Sequence, residues 1–387
     1  MANTWCDSNQ SEQIWFQAYL TISWISYFIA IRKDPGSPPI NFEPNQGEWR
    51  RWCKKCQNYK PERSHHCKSC QKCVLKMDHH CPWTMNCVGH GNFPHFLRFL
   101  LWVIWTSGYI MVQLSKRVIQ YYEERNLPAY LIPRGEMLAV VFLLPIDFFM
   151  FISILILFIR CLINFMVKGM TQIEVWESER IEGQFHTERF WRQIRSNYFK
   201  LHNKALPKLT SWRTENERIR AAEELSQEQQ EEEEEQEELL EQGVVPQEYT
   251  YEDLIFPYDL GFWKNITTSI GYPYQWILPW GGPNNDGYHI EKSEEFIEED
   301  QLGLPWPPDS GHQENTTSST INRDIELDQI QINGRTNIQL LKKRLDPRSN
   351  MKRTEWMNDQ GETLDDLGVD IDAEDADHEE LLLNHPE

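Results

Sequence analysis

Asp78-His79-His80-Cys81 stands at the centre of the stretch that decides the fold, which runs from Cys53 to Asn92. The 35 residues from Cys53 to Cys87 contain seven of the nine cysteines, and the stretch also contains five histidines. Cysteine pairs two residues apart with histidines nearby have the ligand spacing of structural zinc, which prefers four thiolate or imidazole ligands. The stretch is therefore predicted to fold around zinc through residues drawn from Cys53, Cys56, Cys67, Cys70, Cys73, Cys81, Cys87, His65, His66, His79, His80 and His90.

Two tetrahedral zinc sites need eight ligands, and the stretch can supply them in two ways. Seven cysteines and one histidine would fill both sites and would make the cluster purely structural. Six cysteines and two histidines would also fill them and would leave one thiol free. Cys81 is the natural thiol to leave out, because the aspartate and histidines beside it can deprotonate a thiol and orient its base. Spacing alone leaves both counts open.

The order of these residues resembles the DHHC cysteine-rich domain of protein S-palmitoyltransferases. The matching residues are Cys53-x2-Cys56, Lys60-Pro61-x-Arg63, His66-Cys67-x2-Cys70-x2-Cys73, Asp78-His79-His80-Cys81-Pro82-Trp83, Asn86-Cys87-Val88-Gly89, Asn92 and Phe96. The resemblance implies an α-helical polytopic membrane protein with a cytosolic zinc-binding cysteine-rich (DHHC) domain. It implies Cys81 as the nucleophile, His79 as its base and Asp78 as the partner that orients His79.

The resemblance also implies the metal ligands and the reaction. One structural zinc would be held by Cys53, Cys56, His66 and Cys73, and a second by Cys67, Cys70, His80 and Cys87. Palmitate would move from palmitoyl-CoA to cysteine thiols of membrane-associated proteins through an acyl-Cys81 intermediate. The partners expected are palmitoyl-CoA, the lipid bilayer and membrane proteins with cytosolic cysteines, with no nucleic acid.

Charge and hydropathy divide the chain unevenly. The net charge is -21 and the mean hydropathy is -0.61. Residues 1–213 hold 26 Lys and Arg against 16 Asp and Glu, and the rest of the chain holds 12 against 43. The apolar residues are bunched, so the chain is not one soluble globule. Clustered cysteines of this kind fit a reducing, metal-binding compartment better than a disulfide framework.

Three apolar stretches predict membrane spans at 14–31, 96–114 and 137–165. The basic residues of the first stretch follow it, whereas a signal peptide would have them before its apolar core. Residues 32–95 carry 11 Lys and Arg against five Asp and Glu, which places this cysteine-rich domain in the cytosol by the positive-inside rule. Residues 1–13 and 115–136 are then lumenal. Asp147 in the third span is either a functional carboxyl or a hydrogen-bonded one near the interface.

The rest of the chain, 166–308, is predicted to be a cytosolic C-terminal region. Thr171-Gln172-Ile173-Glu174 resembles the Thr-Thr-x-Glu element of the family, so Thr171 and Glu174 are expected to support the site. Residues 256–271, which include Asn265, resemble a C-terminal motif that packs near the active site; a membrane-surface anchor is the alternative. The Glu and Gln run at 223–241 reads as a solvated helix or linker, and 309–387 as a disordered acidic tail.

One departure from the family lies before the first span, because members usually have two spans ahead of the cysteine-rich domain and this sequence shows one. Either that span is absent or the gene model starts late. The sequence resembles most the fungal endoplasmic-reticulum members that acylate membrane proteins such as chitin synthase. The resemblance lies in Lys60-Pro61-x-Arg63, Thr84-Met85-Asn86-Cys87, the short lumenal loop and the late motif Leu304-Pro305-Trp306-Pro307-Pro308-Asp309. Two other classes compete: a RING-like ubiquitin ligase would need a closing Cys-x2-Cys after Cys87, and a membrane-anchored zinc interaction module would have no use for a free Cys81.

Overall fold

The computed structural model describes residues 4–45, 47–126, 128, 134–211, 245–246, 249–276, 280–311, 331–332, 335–336 and 346–374. The chain forms two compact units. The membrane unit consists of Met1–Ser37, Val74–Thr171 and Gly261–His289, and the second unit consists of Pro38–Cys73, Gln172–Leu260 and Ile290–Glu387. The acidic run predicted at 223–241 lies outside the described residues.

The described helices and strands follow one another along the chain in a simple order. They are α1 Thr4–Arg32, β1 Arg51–Cys53, β2 Asn58–Lys60, β3 His65–Cys67, β4 Lys72–Val74, β5 His79–Cys81, β6 Asn86–Val88, α2 Phe93–Glu123, α3 Arg134–Leu162, α4 Gln172–Gln184, α5 Glu188–His202, α6 Phe262–Ile270, α7 Pro273–Trp276, α8 Glu294–Glu299, β7 Gln331–Ile332, β8 Arg335–Thr336 and α9 Ile371–Glu374. The strands form four two-stranded sheets, β1-β2, β3-β4, β5-β6 and β7-β8.

Among the described residues, three helices of the membrane unit are long and apolar enough to cross a bilayer: Gln10–Arg32, Phe93–Asn126 and Arg134–Val167. Each contains one of the three predicted spans, and α2 packs against both α1 and α3. Ser23 Oγ and Thr106 Oγ1 are 2.8 Å apart and join α1 to α2 by a hydrogen bond. A polar contact between helices satisfies groups that lipid cannot.

Two details of these helices go beyond the sequence analysis: the length of α2 and the proline inside α3. The lumenal loop was predicted from residue 115, whereas α2 continues to Glu123 and a 3-10 turn follows over Glu124–Asn126. Residues 115–123 contain neither Gly nor Pro, so nothing in them stops a helix. Pro145 lies inside the third span, and α3 runs through it without a break. Neighbouring helices and side chains allow proline inside membrane helices.

The core of the second unit is aromatic and lies around α4 and α5. Thr187 caps α5, its Oγ1 accepting a hydrogen bond from the Phe190 backbone N–H at 3.3 Å, and Asn203 ends the helix in a left-handed conformation. An amphipathic helix such as α5 can lie on a membrane surface or pack as a soluble helix. It buries its apolar face in a core formed by Trp49, Ile181, Phe185, Phe190, Trp191, Ile194, Leu209, Tyr249, Tyr258, Leu302, Leu304 and Trp306.

Three predicted ranges do not coincide with the two units or with the packing of the described residues. The cysteine-rich domain expected over 32–95 is shared between them, with the change at Cys73 and Val74. The motif expected over 256–271 is shared as well, because Tyr258 belongs to the aromatic core and Asn265 to the membrane unit. The tail expected to be disordered over 309–387 contains a packed segment, 346–374, with buried side chains.

Candidate active site and metal centre

The β5-β6 hairpin separates the residues of the Asp78-His79-His80-Cys81 motif onto two faces. Successive side chains of a strand point to opposite faces, so His79 and Cys81 share one face and His80 takes the other. The register pairs His79 with Val88, His80 with Cys87 and Cys81 with Asn86. The hairpin therefore keeps the predicted base and nucleophile together and turns the predicted metal ligand His80 away from them.

The Asp78 carboxylate forms a hydrogen bond with one ring nitrogen of His79. Asp78 Oδ2 lies 2.7 Å from His79 Nδ1, and the Asp78 side chain is buried. This contact leaves Nε2 of His79 for another partner. Burial opposes the charged form of His79, but the hydrogen bonds to Asp78 and Cys81 outweigh it and raise the pKa of His79 to about 9.

Cys81 is buried in an apolar cluster with residues of α2 and α3. Burial disfavours its thiolate, but hydrogen bonds from His79 and Thr84, together with the charge of His79, lower the pKa of Cys81 to about 7. The cluster contains Val88, Phe93, Phe96, Leu97, Leu100, Cys161 and Phe165. The Phe96 ring also meets the His79 ring edge-on, with their centroids 5.5 Å apart. The site thus combines an apolar wall with an ionisable thiol.

Backbone contacts fix the hairpin to the first and second spans. Asn92 Oδ1 accepts a hydrogen bond from the Gly89 N–H at 2.9 Å, and Asn92 Nδ2 donates to the Cys87 carbonyl at 2.8 Å. Asn86 Nδ2 donates to the Ala30 carbonyl at 3.1 Å, which is one of the free carbonyls at the end of α1. At Gly89 a Cβ would stand 2.6 Å from Val74 Cγ1, so only glycine fits there.

The second unit contains one complete cluster of the predicted zinc ligands. His66 Nδ1 lies 3.3 Å from Cys53 Sγ, 3.3 Å from Cys56 Sγ and 3.7 Å from Cys73 Sγ. All four ligand atoms lie within 4.8 Å of one another. Three thiols and one imidazole at these separations are a donor set of the kind zinc prefers. The cluster is compatible with zinc, as the sequence predicted.

The other four predicted ligands occur as two close pairs, one in each unit. In the second unit the Cys70 backbone N–H donates to Cys67 Sγ at 3.3 Å. In the membrane unit Cys87 Sγ lies 3.7 Å from His80 Nδ1, directly across the β5-β6 hairpin. Each pair has the donor chemistry of a zinc site. Their assignment to one ion stays a prediction.

The predicted supporting residues are all buried. Thr171 is 1 % exposed in the membrane unit. In the second unit Glu174 accepts two hydrogen bonds from Arg63, one of them from Nε to Oε1 at 2.5 Å. In the membrane unit Asn265 is 2 % exposed and its Nδ2 donates to the Met166 carbonyl at 3.4 Å. Met166 belongs to a π-helical turn, Ile163–Val167, at the end of the third span.

A charged network that the sequence analysis missed lies in the second unit. Arg180 is fully buried and contacts Glu177 and Asp309, with Arg180 Nη1 2.7 Å from Asp309 Oδ2. Arg353 also binds Glu177. Burial opposes the charged form of Glu177, but the two arginines outweigh it and lower the pKa of Glu177 to about 2. The signal in the sequence was Asp309, which closes the late motif Leu304-Pro305-Trp306-Pro307-Pro308-Asp309.

A largely apolar, partly open cavity of about 500 Å³ lies between the three spans of the membrane unit. Tyr27 and Phe99 line it, and Phe99 also packs against the apolar cluster of Cys81. Tyr27 Oη donates to the Trp83 carbonyl at 2.9 Å, two residues after Cys81. Asp147 also lines the cavity and accepts a hydrogen bond from Ser107 Oγ at 2.7 Å. This hydrogen bond fits the second interpretation of Asp147, and a functional role for the carboxyl stays untested.

These features define a helical membrane protein with a cysteine- and histidine-rich domain suited to zinc. Comparison with known families shows that residues 46–179 match the DHHC palmitoyltransferase family. The chain is 56% identical to Palmitoyltransferase PFA4 of Debaryomyces hansenii over 97% of its length and 89% of that protein. For Palmitoyltransferase PFA4 of Candida albicans the identity is 43%, over 94% of this chain and 92% of that one. For Palmitoyltransferase PFA4 of Saccharomyces cerevisiae the identity is 37%, over 94% of this chain and 90% of that one.

The chain therefore belongs to the DHHC palmitoyltransferase family and is a protein-cysteine S-palmitoyltransferase. This result sets aside the RING-like ligase and the simple zinc interaction module. The family assignment rests on similarity along most of the chain and does not by itself assign a role to any residue.

Proposed function

We propose that Cys81 is the nucleophile that carries the acyl group, that His79 exchanges protons with it, and that Asp78 orients His79. The observation that supports this most is the shared face of His79 and Cys81, with Asp78 Oδ2 2.7 Å from His79 Nδ1. A thiolate beside an imidazolium is the activated form of a cysteine nucleophile. The pKa of Cys81, lowered to about 7, and that of His79, raised to about 9, favour this ion pair.

In the first step the Cys81 thiolate attacks the carbonyl carbon of palmitoyl-CoA. A bond forms between Cys81 Sγ and that carbon, and the bond from the carbon to the CoA sulfur breaks. The CoA thiolate leaves and takes the proton that His79 carried. One thioester replaces another, so the step needs no external energy source.

In the second step a cysteine of the protein substrate attacks acyl-Cys81. His79, now neutral, accepts the proton of the incoming thiol, and Cys81 leaves as a thiolate. Asp78 keeps the proton of the ring on Nδ1, so that Nε2 is free to accept another. The two steps return the site to its starting protonation state.

Zinc in this proposal holds the cysteine-rich loops and takes no part in the chemistry. Cys53, Cys56, His66 and Cys73 would bind one ion, and Cys67, Cys70, His80 and Cys87 would bind the other. A structural zinc with four protein ligands has no open position for substrate. The hairpin face that carries His80 is also opposite to the face that carries Cys81.

The donor is proposed to be palmitoyl-CoA, with its acyl chain in the membrane cavity. Ring contacts support this placement, because Phe99 belongs both to the cavity lining and to the packing around Cys81. Burying a chain gains about 0.8 kcal/mol per CH2, so about 15 methylenes gain on the order of 12 kcal/mol. Such a gain explains why the nucleophile is attached to membrane-spanning helices.

The endoplasmic-reticulum membrane is the proposed location, and membrane proteins with cytosolic cysteines are the proposed clients. The sequence resemblance to fungal endoplasmic-reticulum members supports both, and it suggests chitin synthase as one client. Cysteines near a membrane surface fit an enzyme whose own nucleophile lies at the end of a spanning helix.

The test is to incubate the purified full-length protein with labelled palmitoyl-CoA and to measure label that hydroxylamine removes. Cys81→Ser is expected to abolish this label and to keep the zinc content of the unaltered protein. Cys161→Ala, which changes the buried thiol beside Cys81, is the matched control and is expected to keep the label. Loss of zinc from Cys81→Ser would instead make Cys81 a metal ligand and would overturn the mechanism.

A further inference from the structure

The segment 346–374, which we call the strap, packs within the second unit although its composition predicted disorder. It begins with a 3-10 turn at Pro347–Asn350 and ends with α9. Four apolar side chains along it are almost fully buried: Trp356, Leu364, Val369 and Ala373. A run of solvated acidic residues would bury none of them.

One end of the strap is attached to α4. The Trp356 ring meets the Trp176 ring edge-on at 4.9 Å, and Trp176 Nε1 donates to the Glu362 carbonyl at 2.9 Å. Arg353 Nε donates to Glu177 Oε1 at 2.7 Å in the buried charged network. The aromatic pair adds packing, and separating the buried ion pair would leave a charge without its partner, so both contacts hold this end against α4.

The other end of the strap lies on the complete zinc-ligand cluster. Ala373 packs against Cys53 and Cys73 and is 1 % exposed. The Ala373 carbonyl accepts a hydrogen bond from the Lys54 N–H at 3.3 Å, and the Asp370 N–H donates to the His66 carbonyl at 2.8 Å. The Asp370 carboxylate forms an ion pair with Lys55.

The strap also pairs with the neighbouring strand β3. Val369 forms an antiparallel bridge with Cys67, and the Lys68 N–H donates to the Gly368 carbonyl at 3.0 Å. Backbone hydrogen bonds to ligand residues fix the position of the ligands themselves. Contacts of this kind around a metal orient its ligands and affect how tightly it is held.

We propose that the strap retains zinc in the cluster of Cys53, Cys56, His66 and Cys73. Strands of three residues have little core of their own, so the ligands depend on what covers them. Three of the four ligands are buried and Cys56 is exposed, so within the part of the chain that the structure describes the cluster is open to a competing chelator on the Cys56 side. Without the strap, Cys53 and Cys73 would open to solvent and could separate from the ion.

The first experiment compares the full-length protein with two shortened ones, in detergent, in the presence of an excess of a colorimetric zinc chelator. A chain ending at residue 345 lacks the strap, and a chain ending at 374 keeps it and is the control. Removal of the strap is expected to speed release of one zinc equivalent by roughly tenfold or more, in line with the loss of contacts around metal ligands. Equal release rates for all three chains would overturn the proposal.

A second experiment uses point variants, so that the proposal can be tested even if the chain ending at 345 fails to fold. Asp370→Ala removes the carboxylate that pairs with Lys55, and Ala373→Glu places a larger charged side chain against Cys53 and Cys73. Both are expected to speed zinc release. Asp365→Ala is the matched control, because the Asp365 pair with Lys68 is exposed, at 62% and 61%.

A general loss of stability must be separated from a specific loss of zinc. Asn265→Ala, in the membrane unit, is expected to lower the midpoint of thermal unfolding and leave zinc release unchanged. If Asn265→Ala or Asp365→Ala released zinc as fast as Asp370→Ala, the strap would have no particular role in retaining the metal.

Discussion

Arg63 and Glu174 form a buried two-point ion pair inside the second unit, 111 residues apart in the chain. Arg63 Nε donates to Glu174 Oε1 at 2.5 Å, and the guanidinium also binds Oε2. The two side chains are 4% and 5% exposed. The guanidinium also lies over the Tyr258 ring, 4.7 Å from its centroid. Arg63 thereby links the loop of β2 and β3 to α4 and to the aromatic core.

Removal of one partner of this pair is expected to destabilise the protein strongly. Arg63→Ala or Glu174→Ala would leave an unpaired buried charge, which costs about 3–5 kcal/mol. Thermal unfolding in detergent measures the effect. Arg192→Ala is the control, since the pair of Arg192 with Glu188 is exposed and contributes less than about 1 kcal/mol. Similar unfolding midpoints for the two arginine variants would contradict the importance of the buried pair.

The Arg63 pair also shows what the sequence could and could not predict. Hydropathy located the spans, because apolar stretches of this length usually form membrane-spanning helices. Resemblance located Arg63 and Glu174 separately, but no rule of local spacing pairs residues so far apart. The strap was missed for a related reason: Trp356 and Leu364 stand alone among charged residues, and their burial depends on a surface made elsewhere in the chain.

The hairpin of the proposed active site was predictable in a different way. Strand alternation alone sets His79 and Cys81 apart from His80 once the strand is known. The choice between six and seven cysteine ligands was left open by spacing. The His66 cluster accounts for three thiols, and Cys81 packs in an apolar cluster in the other unit.

The reactivity of Cys81 is expected to depend on His79. His79→Ala removes the hydrogen bond and the charge that lower the pKa of Cys81, so less thiolate is present at pH 7. Alkylation of Cys81 by iodoacetamide should then slow roughly tenfold, which is the change in thiolate when a pKa near 7 returns to its usual range. Mass spectrometry of the Cys81 peptide gives the rate. His90→Ala is the matched histidine control, and an unchanged rate in His79→Ala would remove His79 from the mechanism.

Metal content is expected to depend on the cluster of the second unit. Cys53→Ala should release at least one zinc per chain and loosen the hairpins, because binding of structural zinc supplies folding free energy. Cys67→Ala should have the same effect on the other proposed ion. Metal analysis of the purified proteins gives the stoichiometry, with Cys161→Ala as a buried cysteine outside both sets. Full metal content in both ligand variants would reject the assignment.

The cysteine-rich residues and the residues after the third span are expected to lie on the cytosolic side. The excess of Lys and Arg in 32–95 is the basis for this orientation. Protease added to sealed microsomes should digest an epitope tag placed at the C-terminus without detergent. A tag in the loop after Asn126 should be digested only after detergent is added. Protection of the C-terminal tag would contradict the prediction and would place the C-terminus in the lumen.

The two neighbouring parts of the C-terminal region are expected to differ in importance, although both are polar overall. The run at 223–241 should be dispensable, because like charges at this density stay hydrated and a shorter linker changes chain entropy little. Asn265 should not be dispensable. Its side chain is buried in the membrane unit and donates to the Met166 carbonyl where the third span ends.

Asn265→Ala is therefore expected to cost roughly 1–3 kcal/mol, the usual effect of leaving a buried polar group unsatisfied. Thr268→Ala is the matched control, because Thr268 is on the same helix, α6, and among the described residues its hydroxyl donates to carbonyls of that helix. The measurements are thermal unfolding in detergent and the yield of hydroxylamine-sensitive acyl-enzyme, for both variants and for the 223–241 deletion. If α6 were only a membrane-surface anchor, Asn265→Ala would behave like Thr268→Ala. A normal Asn265→Ala protein, or an unstable deletion, would show that this division of the C-terminal region is wrong, since burial of the Asn265 amide is what distinguishes the two parts.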